Sequence, residues 1–164
     1  MKLPLYISVG SDGRIITCDI NDKTIKVLSP DGKNLLHSFS APGCDADPWC
    51  AVYKQDKFFV SYPKANRVMV FNSAGEYLYD IGNEGSFDGQ LRFPIDLAID
   101  KFNRLIVCDR NNDRLQLFTL DGKYVAKVAG SFFDQNSVLI GCAVSDTGHL
   151  FVTDHNKHCI YVFN

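Results

Sequence analysis

The residues best suited to chemistry lie in one short stretch, CDRNNDRLQLF, at positions 108–118. Its first half gathers two carboxylates, two amides and two guanidinium groups, on Asp109, Arg110, Asn111, Asn112, Asp113 and Arg114. Acids and bases this close together could transfer protons or hold a polar ligand. Its second half, residues 115–118, alternates apolar and polar side chains as a half-buried strand does. The stretch is therefore either a site or a turn with a structural role.

Other groups with catalytic or metal-binding chemistry are sparse. The segment DHNKH, residues 154–158, places His155 and His158 three apart, which is a weak metal motif when it stands alone. No Cys-x-x-Cys, His-Glu-x-x-His, Gly-x-Ser-x-Gly or phosphate-binding glycine loop occurs. We therefore predict no metal site, no cofactor and no catalytic residue, and favour exposed side chains over a histidine ligand pair.

The polar stretch recurs along the chain. Related segments are CDINDKTIKVL at 18–28, SYPKANRVMVF at 61–71 and TDHNKHCIYVF at 153–163. The position of Asp109 is taken by Asp19, Tyr62 and Asp154, with a period of about 45 residues. A catalytic group would appear once, so a set that recurs is interpreted as structural. We expect the carboxylate of Asp109 to accept backbone N–H groups of the following turn, and we expect Asn111 and Asn112 to allow the left-handed backbone conformations that a tight polar loop often requires.

Each repeat is predicted to form four short strands. In the third copy these are residues 96–100, 105–109, 114–118 and 124–129, separated by segments rich in Asn, Asp and Gly. Long helical periodicity is absent. Antiparallel four-stranded units of about 45 residues are typical of propeller blades, so the fold class is an all-β propeller.

Residues 92–130, RFPIDLAIDKFNRLIVCDRNNDRLQLFTLDGKYVAKVAG, resemble an NHL repeat, and the lead-in GNEGSFDGQLRFP at 82–94 resembles the connector between its blades. The family's propellers usually have six blades. The resemblance therefore implies one domain, residues 1–164, that is an incomplete six-bladed propeller of about four blades, with a compact four-bladed ring as the alternative. The predicted blades are 5–40, 49–82, 95–130 and 141–164, the last without its outer strand. The missing blades or self-association would cover the apolar flanks.

The cysteines are predicted to be reduced. Cys18 and Cys108 occupy equivalent second-strand positions, and Cys50 and Cys142 are interpreted as equivalent first-strand positions. Small or apolar residues alternate with cysteine there, which indicates buried thiols that pack as small hydrophobic groups. Reduced thiols and the absence of a secretory signal favour a cytoplasmic protein.

The loops that follow the second strands are predicted to share one face with the connectors between blades. Candidate binding residues on this face are Lys64, Arg67, Arg110, Asn112, Arg114, His155, Lys157 and His158. Connector aromatics could join them: Trp49, Phe87, Phe93, Phe132 and Phe133. The net charge is −2, from 17 basic and 19 acidic residues, which favours a protein partner over single-stranded RNA. No window of 18 residues is apolar enough for a membrane span.

The resemblance also implies a function. Propellers similar to this one occur at the C-terminus of tripartite-motif ubiquitin ligases, behind RING, B-box and coiled-coil regions. The chain is therefore expected to be a non-catalytic module that recruits a protein or RNA target, while ligase activity would lie in a RING domain absent from it. The alternatives are a propeller enzyme, either a metal-dependent lyase or an esterase, an RNA-binding translational regulator, and a scaffold.

Overall fold

The computed structural model describes residues 3–128, 132–134 and 136–164, which form four antiparallel sheets. The first sheet contains β1 (Pro4–Val9), β2 (Ile15–Asp19), β3 (Thr24–Leu28) and β4 (Leu35–Phe39). The second contains β5 (Ala51–Lys54), β6 (Lys57–Tyr62), β7 (Arg67–Asn72) and β8 (Tyr77–Ile81). The third contains β9 (Pro94–Ile99), β10 (Arg104–Asp109), β11 (Arg114–Thr119) and β12 (Tyr124–Val128). The fourth contains β13 (Leu139–Val144), β14 (Leu150–Asp154) and β15 (Cys159–Phe163).

The strands of each sheet pair in chain order, which is the connectivity of a propeller blade. The prediction of an all-β propeller built from about four such sheets is confirmed. The outer strand of the third sheet was predicted at 124–129; it is described over Tyr124–Val128, and position 129 lies outside the described residues. Within the described part of the chain, no helix has the length and apolar character that crossing a membrane requires.

The core consists of three apolar layers, one between each pair of neighbouring sheets. Ile25 and Val27 of the first sheet pack with Phe58 and Phe71 of the second. Corresponding layers join the second sheet to the third and the third to the fourth. Because the middle strands have a neighbour on both faces, β6 and β10 are almost continuously buried rather than alternating. This explains why they are apolar runs in the sequence.

Hydrogen bonds from inner strands and from the second strand β6 also join consecutive sheets. Ser8 Oγ donates to the carbonyl of Ala51 at 2.6 Å, between the first and second sheets. Ser61 Oγ donates to the carbonyl of Ile95 at 2.8 Å, between the second and third. The N–H of Cys142 donates to Asp96 Oδ2 at 2.7 Å, between the third and fourth.

The loops between second and third strands share one geometry. In each, the last loop residue is left-handed, with φ of 54° at Lys23, 54° at Asn66, 50° at Asp113 and 52° at His158. The expectation of left-handed conformations at Asn111 and Asn112 is therefore wrong. These two residues belong to a single 3-10 turn, Arg110–Asn112, and the chain reverses into β11 at the next position.

Candidate functional site

The recurring aspartates at the ends of second strands attach each inner strand to its sheet. A backbone N–H that precedes the inner strand donates to the carboxylate in three sheets: Leu3 to Asp19 at 3.0 Å, Arg92 to Asp109 at 2.6 Å and Val138 to Asp154 at 2.9 Å. All three aspartates are buried. The recurring carboxylate is thus a structural fastener that accepts backbone N–H groups. At Asp109 the backbone donor is Arg92 of the connector rather than a residue of the following turn, which corrects the prediction, whereas at Asp154 the turn residues Asn156 and Lys157 do donate.

In the third sheet the aspartate also holds a buried cation. Asp109 Oδ2 accepts hydrogen bonds from Arg114 Nε at 2.8 Å, Asn112 Nδ2 at 2.8 Å and Gln116 Nε2 at 3.2 Å. The remaining guanidinium donors of Arg114 reach the carbonyls of Ser86, Phe87 and Gln90 at 2.7–2.9 Å. Arg114 is 5% exposed, so its donors are engaged inside the protein rather than offered to a partner.

The lysines of the loop face are paired with connector aspartates. Lys64 Nζ lies 2.8 Å from Asp47 Oδ2, and Lys157 Nζ lies 3.0 Å from Asp134 Oδ2. Lys23 forms the same kind of pair with Asp45. The hydrogen bond from Lys157 is the main cause that holds the pKa of Asp134 below its ordinary value. These pairs fasten the loops to the connectors and neutralise much of the positive charge on this face.

Two arginines on the loop face are differently placed. Arg110 lies over the ring of Phe93, with 5.6 Å between its guanidinium carbon and the ring centroid. Arg92 is exposed, and its carbonyl accepts the N–H of Asn111, which places it beside the same loop. Among the residues that the structure describes, neither arginine forms an ion pair. Phe87, in the same connector, is 79% exposed.

The other predicted site residues are dispersed. Arg67 pairs with Asp80 of β8 at 2.7 Å and so lies towards the outer strand. Asn112 is half-buried and donates to the carbonyl of Gly85 as well as to Asp109. His155 and His158 are exposed, with ring centroids 6.3 Å apart. Of the connector aromatics, Trp49 and Phe132 are exposed, whereas Phe133 is buried against Tyr161 and Phe163.

No metal site is evident in the described part of the chain, where no group of three His, Cys, Asp or Glu side chains is arranged to hold an ion. Across the same residues all six cysteines are free thiols, and Cys18, Cys50, Cys108 and Cys142 are buried, as predicted. Burial raises the pKa of each of these four thiols, which keeps them protonated and unreactive.

The strand register corrects one assignment and identifies residues that the sequence did not. Cys142 pairs with Val152, whereas Cys50 exchanges hydrogen bonds with Ser61, one register position away. Cys50 and Cys142 are therefore not equivalent. The true counterparts of Cys50 are Tyr6, Asp96 and Gly141, which lie opposite Cys18, Cys108 and Thr153. Four unlike residues at one position of a repeat are the sequence signal that could have identified this group.

A family model described as a 6-bladed beta-propeller matches residues 51–143. The chain belongs to the 6-bladed beta-propeller family. The residues that the structure describes form four sheets, fewer than the six blades of the family, which agrees with the predicted partial propeller.

Two curated relatives of this 6-bladed beta-propeller chain confirm its resemblance to NHL-repeat proteins. It is 46% identical to protein lin-41 of Caenorhabditis elegans over 46 residues, and this match covers 28% of the chain and 4% of that protein. It is 22% identical to E3 ubiquitin-protein ligase NHLRC1 of Homo sapiens over 136 residues, and this match covers 77% of the chain and 34% of that protein. The chain thus spans about a third or less of the length of these relatives. The relatives support an interaction module.

Solved structures show the same fold. A streptogramin B lyase superposes with a TM-score of 0.73 at 16% identity, over 98% of this chain and 54% of the lyase chain. The WD40 beta propeller domain of Doa1 superposes with a TM-score of 0.73 at 13% identity, over 98% of this chain and 50% of the other. At these identities the likeness concerns the propeller architecture alone.

Proposed function

We propose that this propeller is a non-catalytic recruitment module that binds a protein partner through its loop face, as the substrate-recognition part of a RING/B-box ubiquitin-ligase-like protein. The observation that carries the proposal is the pair of arginines without acidic partners among the described residues, Arg92 and Arg110, beside Phe93 and the exposed Phe87. Arginine and aromatic side chains are the types that dominate protein-binding hot spots.

The charge distribution supports a protein over RNA. A strand of RNA would require several cations free to neutralise phosphates. Lys23, Lys64 and Lys157 are already paired with aspartates, and the whole chain has a net charge of −2. A partner that presents one or two acidic groups within an apolar patch fits the remaining surface better than a polyanion does.

The relative named as an E3 ubiquitin-protein ligase supports the ligase context of the proposal. In this context the propeller binds the target, and the ligase activity belongs to a RING domain outside these 164 residues. The free buried thiols accord with a cytoplasmic location, which forms part of the same proposal.

The test compares charge reversal on the two faces of the propeller. The loop-face variant is Arg92→Glu with Arg110→Glu. The control is Lys33→Glu with Lys123→Glu, whose lysines are exposed in the turns before β4 and β12, 4.0 Å from Asp31 and 3.0 Å from Asp121 respectively. Proximity biotinylation in cells would be quantified for the wild type and both variants, and each protein would be checked for an unchanged melting temperature.

We expect a set of proteins that is labelled by the wild type and the control and lost from the loop-face variant. Ubiquitylation of those proteins would then be expected to fall with the same variant. Equal labelling by both variants would contradict the proposed face. A gel shift with a single-stranded RNA pool that weakens steeply between 50 and 200 mM salt and is abolished only by the loop-face variant would favour RNA instead.

A further inference from the structure

The second sheet departs from the pattern of recurring aspartates. Tyr62 ends β6 at the register position that Asp19, Asp109 and Asp154 occupy in the other sheets. It is 1% exposed, and among the described residues its hydroxyl has no hydrogen-bond partner. At this position the connector that enters the second sheet therefore meets a phenol, where the connectors of the third and fourth sheets meet a carboxylate that accepts their backbone N–H groups.

The middle of this connector, residues 42–47, lies between the buried residues Ala41 and Pro48 and is named the acidic strap here. Within the described residues, the backbone hydrogen bond of the strap runs from the N–H of Cys44 to the carbonyl of Ala41, at 3.4 Å. This bond stays inside the connector, so it does not attach the strap to either of the sheets that the connector joins.

Two lysines of the loop face hold the strap. Lys23 Nζ donates to the carbonyl of Asp45 at 2.8 Å and pairs with its carboxylate, and Lys64 Nζ lies 2.8 Å from Asp47 Oδ2. The side chain of Asp45 is 99% exposed and that of Lys64 is 69% exposed. Exposed pairs of this kind contribute little to stability and are screened by salt. The connector of the third sheet is held instead by the buried ion pair described above.

Beneath the strap lies a group that the closed arrangement leaves unsatisfied. Cys44 packs against the apolar layer that contains Tyr62. Burial, followed by the proximity of Cys18 and Cys44, raises the pKa of the Tyr62 phenol. A buried hydroxyl without a partner is costly, and opening of the strap would admit water to it. The strap is thus weakly attached at its surface and covers an unsatisfied group.

The strap also shows what the lysines of the loop face bind. Asp45 and Asp47 present two carboxylates, with one residue between them, to Lys23 and Lys64. These lysines lie in the loops between second and third strands of two neighbouring sheets. An acidic segment of another polypeptide offers the same carboxylates at the same spacing, so it competes with the strap for the same cations.

We propose that the acidic strap is an autoinhibitory element of the loop face: an acidic segment of a partner polypeptide displaces Asp45 and Asp47 from Lys23 and Lys64, and the strap opens as that segment binds. The inference rests on the proposed function, because it takes the loop face as the binding surface. It adds that the partner carries at least two acidic residues, and that the closed strap lowers its affinity.

Opening of the strap is measured without a partner, as the rate at which iodoacetamide alkylates Cys44 in the whole chain. The tryptic peptide of residues 34–54 contains both Cys44 and Cys50, and fragment mass spectra distinguish the two thiols. Cys50 is buried and reports global unfolding. Three double variants each remove two exposed ion pairs by neutralising one side of each. They are Lys23→Gln with Lys64→Gln, Asp45→Asn with Asp47→Asn, and, away from the strap, Lys123→Gln with Lys157→Gln as the control.

We expect both strap variants to raise the alkylation rate of Cys44 about fivefold or more at low salt, and the control to leave it unchanged. The wild-type rate should rise with salt concentration. Loss of a nearby cation disfavours the reactive thiolate, so faster alkylation in Lys23→Gln with Lys64→Gln reports opening rather than charge. An unchanged rate in that variant, or a parallel rise at Cys50, would overturn the proposal.

The partner's chemistry is tested by fluorescence anisotropy with labelled hexaglutamate, with hexaglutamine as the uncharged control and decauridylate as the nucleic acid. Hexaglutamate should bind the wild type, bind Asp45→Asn with Asp47→Asn more tightly, and fail to bind Lys23→Gln with Lys64→Gln. At saturation it should also speed the alkylation of Cys44 in the wild type, because it binds the open form.

Binding of hexaglutamate without faster alkylation, an equal response to hexaglutamine, or tighter binding of decauridylate than of hexaglutamate would overturn the proposal. The outcome is separable from that of the proposed function. If the arginine variant of the loop face keeps its labelled proteins, the proposed function fails, whereas the alkylation rates and the hexaglutamate titration still decide whether the strap opens for an acidic polypeptide.

Discussion

The buried pair of Asp109 and Arg114 offers a quantitative test of what the recurring aspartate contributes. Asp109 is 0% exposed and its Oδ2 is 2.8 Å from Arg114 Nε. Replacing Asp109 with alanine leaves the buried guanidinium of Arg114 without its carboxylate. The loss of one member of a buried ion pair costs about 3–5 kcal/mol. Because three connector carbonyls still accept from Arg114, we expect the lower end of that range, about 3 kcal/mol.

The chain supplies a matched control at the equivalent position of the fourth sheet. Asp154 is also buried and its Oδ1 accepts the N–H groups of Val138, Asn156 and Lys157 at 2.9–3.2 Å. It holds no buried arginine within the described residues. Asp154→Ala should therefore cost about 1 kcal/mol, chiefly for the N–H of Val138, because Asn156 and Lys157 are exposed and water can accept from their N–H groups instead. The difference in free energy of unfolding between the two variants therefore measures the cost of the unpaired Arg114 cation, and not the loss of the backbone hydrogen bonds.

Urea unfolding at constant pH is the assay. With a slope of about 2 kcal/mol per molar urea, a difference of about 2 kcal/mol separates the two midpoints by about 1 M. The double variant Asp109→Ala with Arg114→Met should recover part of the loss, because it removes the uncompensated charge. The reasoning is refuted if Asp109→Ala is no less stable than Asp154→Ala, or if the double variant is less stable than Asp109→Ala alone.

Two further predictions concern Gly75 and the buried carboxyl group of Asp96. Gly75→Ala should lower the free energy of unfolding, measured by urea titration, by about 1–3 kcal/mol more than Gly43→Ala does. Both glycines are left-handed, at φ of 85° and 67°, but of these two positions it is at Gly75 that a Cβ would lie 2.5–2.7 Å from Phe39. Equal losses would show that Phe39 moves aside without cost. Because the pKa of Asp96 is raised in the folded protein, the protonated form of Asp96 favours folding. Its contribution to the free energy of unfolding is present below the ordinary value of 3.8 and is lost as pH rises through the pKa of the folded state. Asp96→Asn should gain stability relative to the wild type as pH rises above the ordinary value of 3.8 in urea titrations; a pH-independent difference would contradict this sign.

The repeat made the fold and the fasteners predictable, because a position that recurs in four copies reveals its structural role without coordinates. Asp19, Asp109 and Asp154 accept backbone N–H groups, although the donor to Asp109 is Arg92 of the connector and not a residue of the following turn as predicted. The carbonyl partners of Arg114 were not predictable, because they belong to an irregular connector whose path has no periodicity. The candidate binding residues of the loop face were placed on one surface by the repeat, but their pairing with connector aspartates depends on that same irregular path.

Two local predictions, the left-handed loop residue and the equivalence of Cys50 and Cys142, are wrong for a common physical reason. In both, the backbone geometry and not the residue type determines the structure. The left-handed residue falls at Lys23 and His158 as readily as at Asn66, so the loop length sets the conformation and overrides the preference of asparagine. The mistaken equivalence of Cys50 and Cys142 arose because the turn between the first two strands is one residue shorter in the second sheet, where Tyr53 pairs with Phe58, than in the fourth, where Val144 pairs with Leu150. A turn that is shorter by one residue shifts the register by one position, which a repeat of nearly constant length does not reveal.

Hydrogen bonds at Ser8 of β1, Ser61 of β6 and Asp96 of β9 join consecutive sheets, so the sheets form a series of neighbours. In such an array, the cooperativity of unfolding resides in the interfaces as much as in the units. Deuterium should therefore enter the amides of the first and fourth sheets before those of the second and third, and cutting the Ser61 link should divide one unfolding transition into two.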